Sequence, residues 1–77
     1  MKEYAQKLRD LRTDRDLSQI QVAVILGTTK NQVGKYERGE QELPIRHLIT
    51  LCNYYGVSAD YVLGLPEGRP YGFSKTK

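Results

Sequence analysis

Two four-residue signatures, Ser18-Gln19-Ile20-Gln21 and Thr29-Lys30-Asn31-Gln32, stand eleven residues apart with Gly27 between them. Each reads as a capping box: a hydroxyl at the N-cap, and a glutamine three residues on that reaches back to the cap's backbone N–H. Gly27 stops the first helix, because only glycine takes a positive φ without a Cβ penalty. The chain is thereby committed to two short helices, about 19–26 and about 30–38, joined by a few residues. So short a connection suits a sharp corner rather than two helices side by side. The residues around it agree. Ala23 is small where the second helix must approach, and Val33 and Tyr36, at i and i+3, face back toward the first. Gln19, Ala23, Gly27, Val33 and Tyr36 therefore form one mechanical unit that leaves the other face of the second helix outward.

The remainder is helical in period, with no stretch of strict alternation, so the expected class is all-α. A first helix is predicted from about Glu3 to Arg15, with Tyr4, Leu8 and Leu11 on its buried face. Asp16 follows at the turn. Leu43-Pro44 opens a fourth helix with Pro at its first position, and Ile45, Leu48, Ile49 and Cys52 lie along one face. Ser58 caps a short fifth helix, 59–63, closed by Gly64. Residues 1–65 read as one domain. Residues 66–77, with Pro66, Gly68, Pro70 and Gly72, read as an irregular tail.

Composition removes most other classes. Seventy-seven residues make one small domain with little volume for a deep pocket. Val22 to Leu26 is the longest apolar run, far short of the ~20 residues of a membrane span. The charged start, Met1-Lys2-Glu3-Tyr4, has no apolar signal core, so a cytoplasmic location is expected. One cysteine and one histidine make neither an internal disulfide nor a Cys/His zinc site. No carboxylate pair, phosphate loop or nucleophile with a placed base is evident, so neither enzyme chemistry nor a metal or cofactor is expected. Cys52 reads as a small core hydrophobe, and His47, off the i, i+4 register from it, as an exposed helix residue. Tyr36 and Tyr61 read as core, whereas Tyr4, Tyr54, Tyr55 and Tyr71 read as candidates to cover an interface.

A net charge of +3 and a pI near 9.1 are compatible with a nucleic-acid partner. The charge is unevenly spread. Residues 17–38 set Lys30, Lys35 and Arg38 against Glu37, whereas residues 39–65 set Glu40, Glu42 and Asp60 against Arg46.

From Leu8 to Leu65 the sequence resembles the phage repressor and Cro-type helix-turn-helix family, also called the xenobiotic-response-element family. The resemblance is carried by Leu11-Arg12, Leu17-Ser18-Gln19, Ala23, Leu26-Gly27, Tyr36-Glu37-Arg38-Gly39, Leu43-Pro44, and the run from Tyr55 to Gly64. It implies a five-helix lambda-repressor-like domain, dimeric operator binding, and transcriptional control in bacteria or their phages. In this motif the second helix of the pair enters the major groove by its N-terminus. Its early outward residues, Lys30, Asn31, Gln32 and Lys35, are then the base readers. Lysine donates to guanine O6 and N7, and asparagine or glutamine pairs with adenine N6 and N7. Gln32 ranks below the others, since its capping box ties it to the Thr29 backbone. The resemblance sets Gln19 on a backbone phosphate, where exposed N–H groups and the helix dipole favour an anion. Thr29, Arg12 and Arg38 are further phosphate candidates. Arg12 also has a competing role, since Arg12 and Glu37 match a pair that links helices one and three in this family.

The expected function is that of a DNA-binding repressor acting as a homodimer on a two-fold operator, with half-sites about one helical turn apart. Val62, Leu65 and Tyr71 suggest dimer contacts through the fifth helix and tail. Two features depart from the family pattern. The loop Glu40-Gln41-Glu42 is acidic where relatives often carry Lys or Arg, and Ile20 and Val24 place an apolar pair where helix two usually carries charge. They favour a second reading: an antitoxin-like or repressor-partner interaction module on the same fold, with DNA binding secondary. A contiguous patch with Tyr71 and Phe73 would strengthen it.

Overall fold

The computed structural model describes residues 3–65, which form five helices and no strand. They are α1 (Glu3–Asp14), α2 (Gln19–Leu26), α3 (Lys30–Glu37), α4 (Ile45–Tyr55) and α5 (Ala59–Leu63). This is the expected all-α, five-helix arrangement. The tail expected at 66–77, with Tyr71 and Phe73, lies outside the described residues.

Local chemistry sets the helix ends. Asp16, the one non-glycine residue at positive φ among those described, makes the turn after α1. The full capping box forms at α2: the Gln21 N–H donates to Ser18 Oγ at 3.0 Å, and the Ser18 N–H donates to Gln21 Oε1 at 2.8 Å. At Gly27 φ is +71°, and the Thr28 N–H closes back onto the Ala23 carbonyl at 2.9 Å. A Cβ at Gly27 would meet nothing within 4 Å, so backbone conformation alone demands glycine there. Pro44 is the N-cap of α4 rather than its first residue, with an extended ψ of 148°.

The core joins all five helices through Leu8, Leu11, Val22, Ala23, Leu26, Val33, Tyr36, Leu51, Tyr55 and Val62. Ala23 and Val33 are both buried where α2 meets α3, which makes the corner a packed joint. Arg15 fastens α1 to the end of α4: it donates to the Tyr55 carbonyl at 3.1 Å and lies over the Tyr55 ring at 4.8 Å.

Five expectations are corrected. The inward stripe of α4 is His47, Leu51 and Tyr55, flanked by half-buried Leu48 and Cys52; Ile45 and Ile49 face solvent. His47 is therefore buried, not exposed, with its ring edge-on to Tyr36 at 6.0 Å. Tyr55 belongs to the core, while Tyr61 is 43% exposed with Lys7 Nζ 4.4 Å from its ring centroid. Val62 is 1% exposed, so it packs within the domain and is not available to a dimer contact. Cys52 packs against the core, where burial pushes its thiol above the ordinary value and keeps it neutral.

Candidate nucleic-acid interface

The outward face of α3 is built from its own spacing. With Val33, Tyr36 and Glu37 turned inward, Asn31 and Lys35 are left exposed on the opposite side, and Lys30 is exposed at the start of the helix. Asn31 and Lys35, at i and i+4, stand on one row; Lys30, Gly34 and Arg38 stand on the next. Thr29 Oγ1 accepts from the Gln32 N–H at 3.1 Å and caps the helix. The reciprocal half of this box does not form. The Gln32 side chain donates instead to Gln41 Oε1, in the loop after α3, so it is held by tertiary contact rather than by its own helix end.

A buried carboxylate fixes how α3 is held. Glu37, 7% exposed, accepts from Arg12 Nε at 2.7 Å, Arg12 Nη2 at 3.1 Å and Gln19 Nε2 at 3.1 Å. Arg12 spends its third nitrogen on the Leu17 carbonyl at 2.8 Å. The hydrogen bond to Glu37 raises the Arg12 guanidinium further above its ordinary value, against the opposing effect of burial. Of the two roles open to Arg12, this geometry favours the structural one: it joins α1, the turn before α2, and the end of α3. Gln19 is partly buried at the start of α2 and uses one amide N–H on Glu37. Its second N–H and its carbonyl oxygen remain as hydrogen-bonding capacity.

Arg38 caps the C-terminus of α3 and folds back along it. A Cβ on Gly34 would lie 2.8 Å from Arg38 Nη1, so the guanidinium occupies the space that glycine leaves on the helix surface. Only the mobile end of a flexible side chain would have to move to admit a methyl group. Gly34→Ala is therefore expected to stabilise the protein by about 0.5–1 kcal/mol, the usual cost of a mid-helix glycine. A rise in the urea midpoint at unchanged slope checks this, and a fall would mean the backbone cannot accept the methyl group.

The acidic loop does not present loose carboxylates. Tyr4 Oη donates to Glu42 Oε1 at 3.0 Å and accepts from the Leu43 N–H at 3.0 Å, anchoring the loop to α1. Glu40 takes Arg38, and Gln41 takes Gln32. Sequence reading missed Glu40 and Gln41 as partners of this surface, because no local periodicity links them to α3. The apolar pair on α2 is exposed as expected, Ile20 by 58% and Val24 by 75%. No helix among the described residues is long and apolar enough to cross a membrane.

The helix-turn-helix family pattern matches residues 8–62. Over 64 residues the chain is 39% identical to the uncharacterized HTH-type transcriptional regulator YobD of Bacillus subtilis, covering 83% of this chain and 57% of that protein. It is 41% identical over 54 residues to the cryptic phage CTXphi transcriptional repressor RstR of Vibrio cholerae, covering 70% of this chain and 49% of that protein. The chain thus spans about half the length of the curated relatives it matches. Its fold matches that of the P22 c2 repressor, crystallised with synthetic operator 9T, at a TM-score of 0.74 and 22% identity, covering 82% of this chain and 96% of that one. With α2, the glycine corner and α3 all inside the matched span, the chain belongs to the helix-turn-helix family of the phage repressor and Cro type.

Proposed function

We propose that this chain binds double-stranded DNA sequence-specifically and acts as a transcriptional repressor, as a homodimer on a two-fold operator. The observation that carries this reading is the exposure of Lys30, Asn31 and Lys35, on two adjacent rows of a helix whose inner face is locked into the core. A major groove ~12 Å wide admits one such helix. Lys30 and Lys35 donate to guanine, Asn31 pairs with adenine, and Gln32, steadied by Gln41, reads or positions beside them. Gln19, aligned by Glu37, and Thr29 donate to phosphates at the two helix starts, and Arg38 supplies a third phosphate contact. The relatives named as transcriptional regulator and repressor support the same reading. No chemistry is performed; occupancy of the operator controls transcription.

Selection of sites from random duplexes at two salt concentrations tests the reading, reporting sequence preference, half-site symmetry and phosphate number together. Lys35→Ala and Asn31→Ala are each expected to cost ~1–3 kcal/mol at particular operator positions and to relax preference there. Equal weakening on every sequence would refute base reading by these side chains.

One observation favours a second reading. Ile20 and Val24 form an exposed apolar pair at i, i+4 on α2, suited to a partner protein. Ile20→Glu with Val24→Lys separates the two: loss of a protein complex with operator binding intact supports a partner surface, and loss of operator binding refutes it.

A further inference from the structure

Glu40 Oε2 accepts from Arg38 Nε at 2.8 Å, and Glu40 Oε1 accepts from Arg38 Nη2 at 3.3 Å. One edge of the guanidinium thus meets both oxygens of a carboxylate, which is also the geometry by which arginine takes a phosphate. The other edge lies over Gly34, in the middle of α3. The hydrogen bond from Arg38 holds Glu40 below the ordinary carboxylate range, and the charges of Arg38 and Lys35 act in the same direction. Both side chains are more than half exposed, at 57% and 54%, so the pair is made in water and exchanges easily. The backbone beneath it is anchored on both sides: the Glu40 N–H donates to the Lys35 carbonyl at 2.9 Å, and the Leu43 N–H donates to Tyr4 Oη on α1 at 3.0 Å.

We propose that Glu40 is an internal competitor for the DNA backbone: it parks Arg38 across the recognition helix over Gly34, and a duplex phosphate must displace its carboxylate to take the arginine. The proposal rests on the DNA-binding reading above. It makes Glu40 a positioning residue that lowers affinity for every duplex by the same factor and leaves base preference unchanged. The negative charge of the loop then acts on one named donor, rather than as a general repulsion of DNA.

A four-member cycle on the full chain tests it: unaltered protein, Glu40→Gln, Arg38→Met, and both together. Each is titrated with a duplex carrying the selected operator and with one of unrelated sequence, across a salt series. Glu40→Gln is expected to tighten binding about two- to fivefold on both duplexes, the range of an exposed ion pair. Arg38→Met is expected to weaken both and to reduce the slope of log affinity against log salt by about 0.9, one phosphate contact. With Arg38 already replaced, Glu40→Gln is expected to change neither affinity. Equal tightening in the presence and absence of Arg38 overturns the proposal, since the carboxylate would then act by its own field on the phosphates. No tightening in the presence of Arg38 overturns it as well. Failure of the unaltered chain to bind either duplex overturns the DNA-binding reading instead.

Discussion

Glu37→Ala is expected to cost about 3 kcal/mol of folding stability, a large share for a domain whose total is on the order of 5 kcal/mol. The loss does not come from a missing attraction alone. Arg12 and Glu37 have side chains only 13% and 6% exposed. Removing the carboxylate leaves a guanidinium in that setting with only the Leu17 carbonyl, and frees the Gln19 amide. A charge held away from water without its counter-charge is the costly state. Arg12→Met combined with Glu37→Leu is therefore expected to recover most of the stability, because neither charge then has to be desolvated. Urea unfolding of the single and double variants measures both. A single-variant cost below about 1 kcal/mol would show that the network is no more than a surface ion pair. The double variant should still bind DNA less well than the unaltered chain, since Gln19 loses the group that aligns it.

Tyr36→Ala is expected to cost about 3–5 kcal/mol, the range for removing a large buried aromatic side chain. Tyr36 is 5% exposed in the core, and its ring meets that of His47 on α4 edge-on at 6.0 Å. The substitution carries a second signature besides the cavity. Burial, aided by the charge of Arg46, lowers the His47 pKa, so the folded protein prefers the neutral ring. The unfolded chain titrates near its ordinary value of about 6.5. Stability contributed by this difference is present above that value. It is lost as the pH falls through the lowered native value, because the unfolded state takes up the proton first. Opening the Tyr36 side of the ring to water should move the native value back toward the ordinary one and flatten this dependence. Unfolding followed from about pH 7.5 to about pH 5.5 separates the two contributions. The unaltered protein should lose more stability over that interval than Tyr36→Ala does. His47→Gln should remove the extra loss altogether, and an unchanged dependence in His47→Gln would exclude this histidine as its source.

The helix starts and the glycine corner were legible in the sequence because each is settled within four or five residues. The hydroxyls of Ser18, Thr29 and Ser58 meet the N–H three residues on, and Gly27 needs only its own φ. The candidate base-reading row was legible for a related reason: once Val33 and Tyr36 face inward, helical period assigns Asn31 and Lys35 to the far side. The stripe of α4 was less so. Its sequence allows two apolar stripes, one through Ile45 and Ile49 and one through Leu51 and Tyr55, and periodicity alone cannot choose between them. Packing chose the stripe whose aromatic end meets Arg15 and whose histidine meets Tyr36, leaving both isoleucines in water.

Side-chain partners across the chain divide in the same way. By itself the sequence determined an all-α chain with a bend at Gly27 and a cationic, amide-bearing face on the helix that follows, since these depend on cap chemistry, backbone conformation and helical period. Only the tertiary structure decided that Gln32 leaves its own cap for Gln41, that Glu40 takes Arg38, and that Gln19 joins the Arg12–Glu37 pair which the family resemblance implied. Those choices are made between groups that local geometry leaves equally able to bond, and they are settled by which loop the packed core brings within 3 Å or so of them.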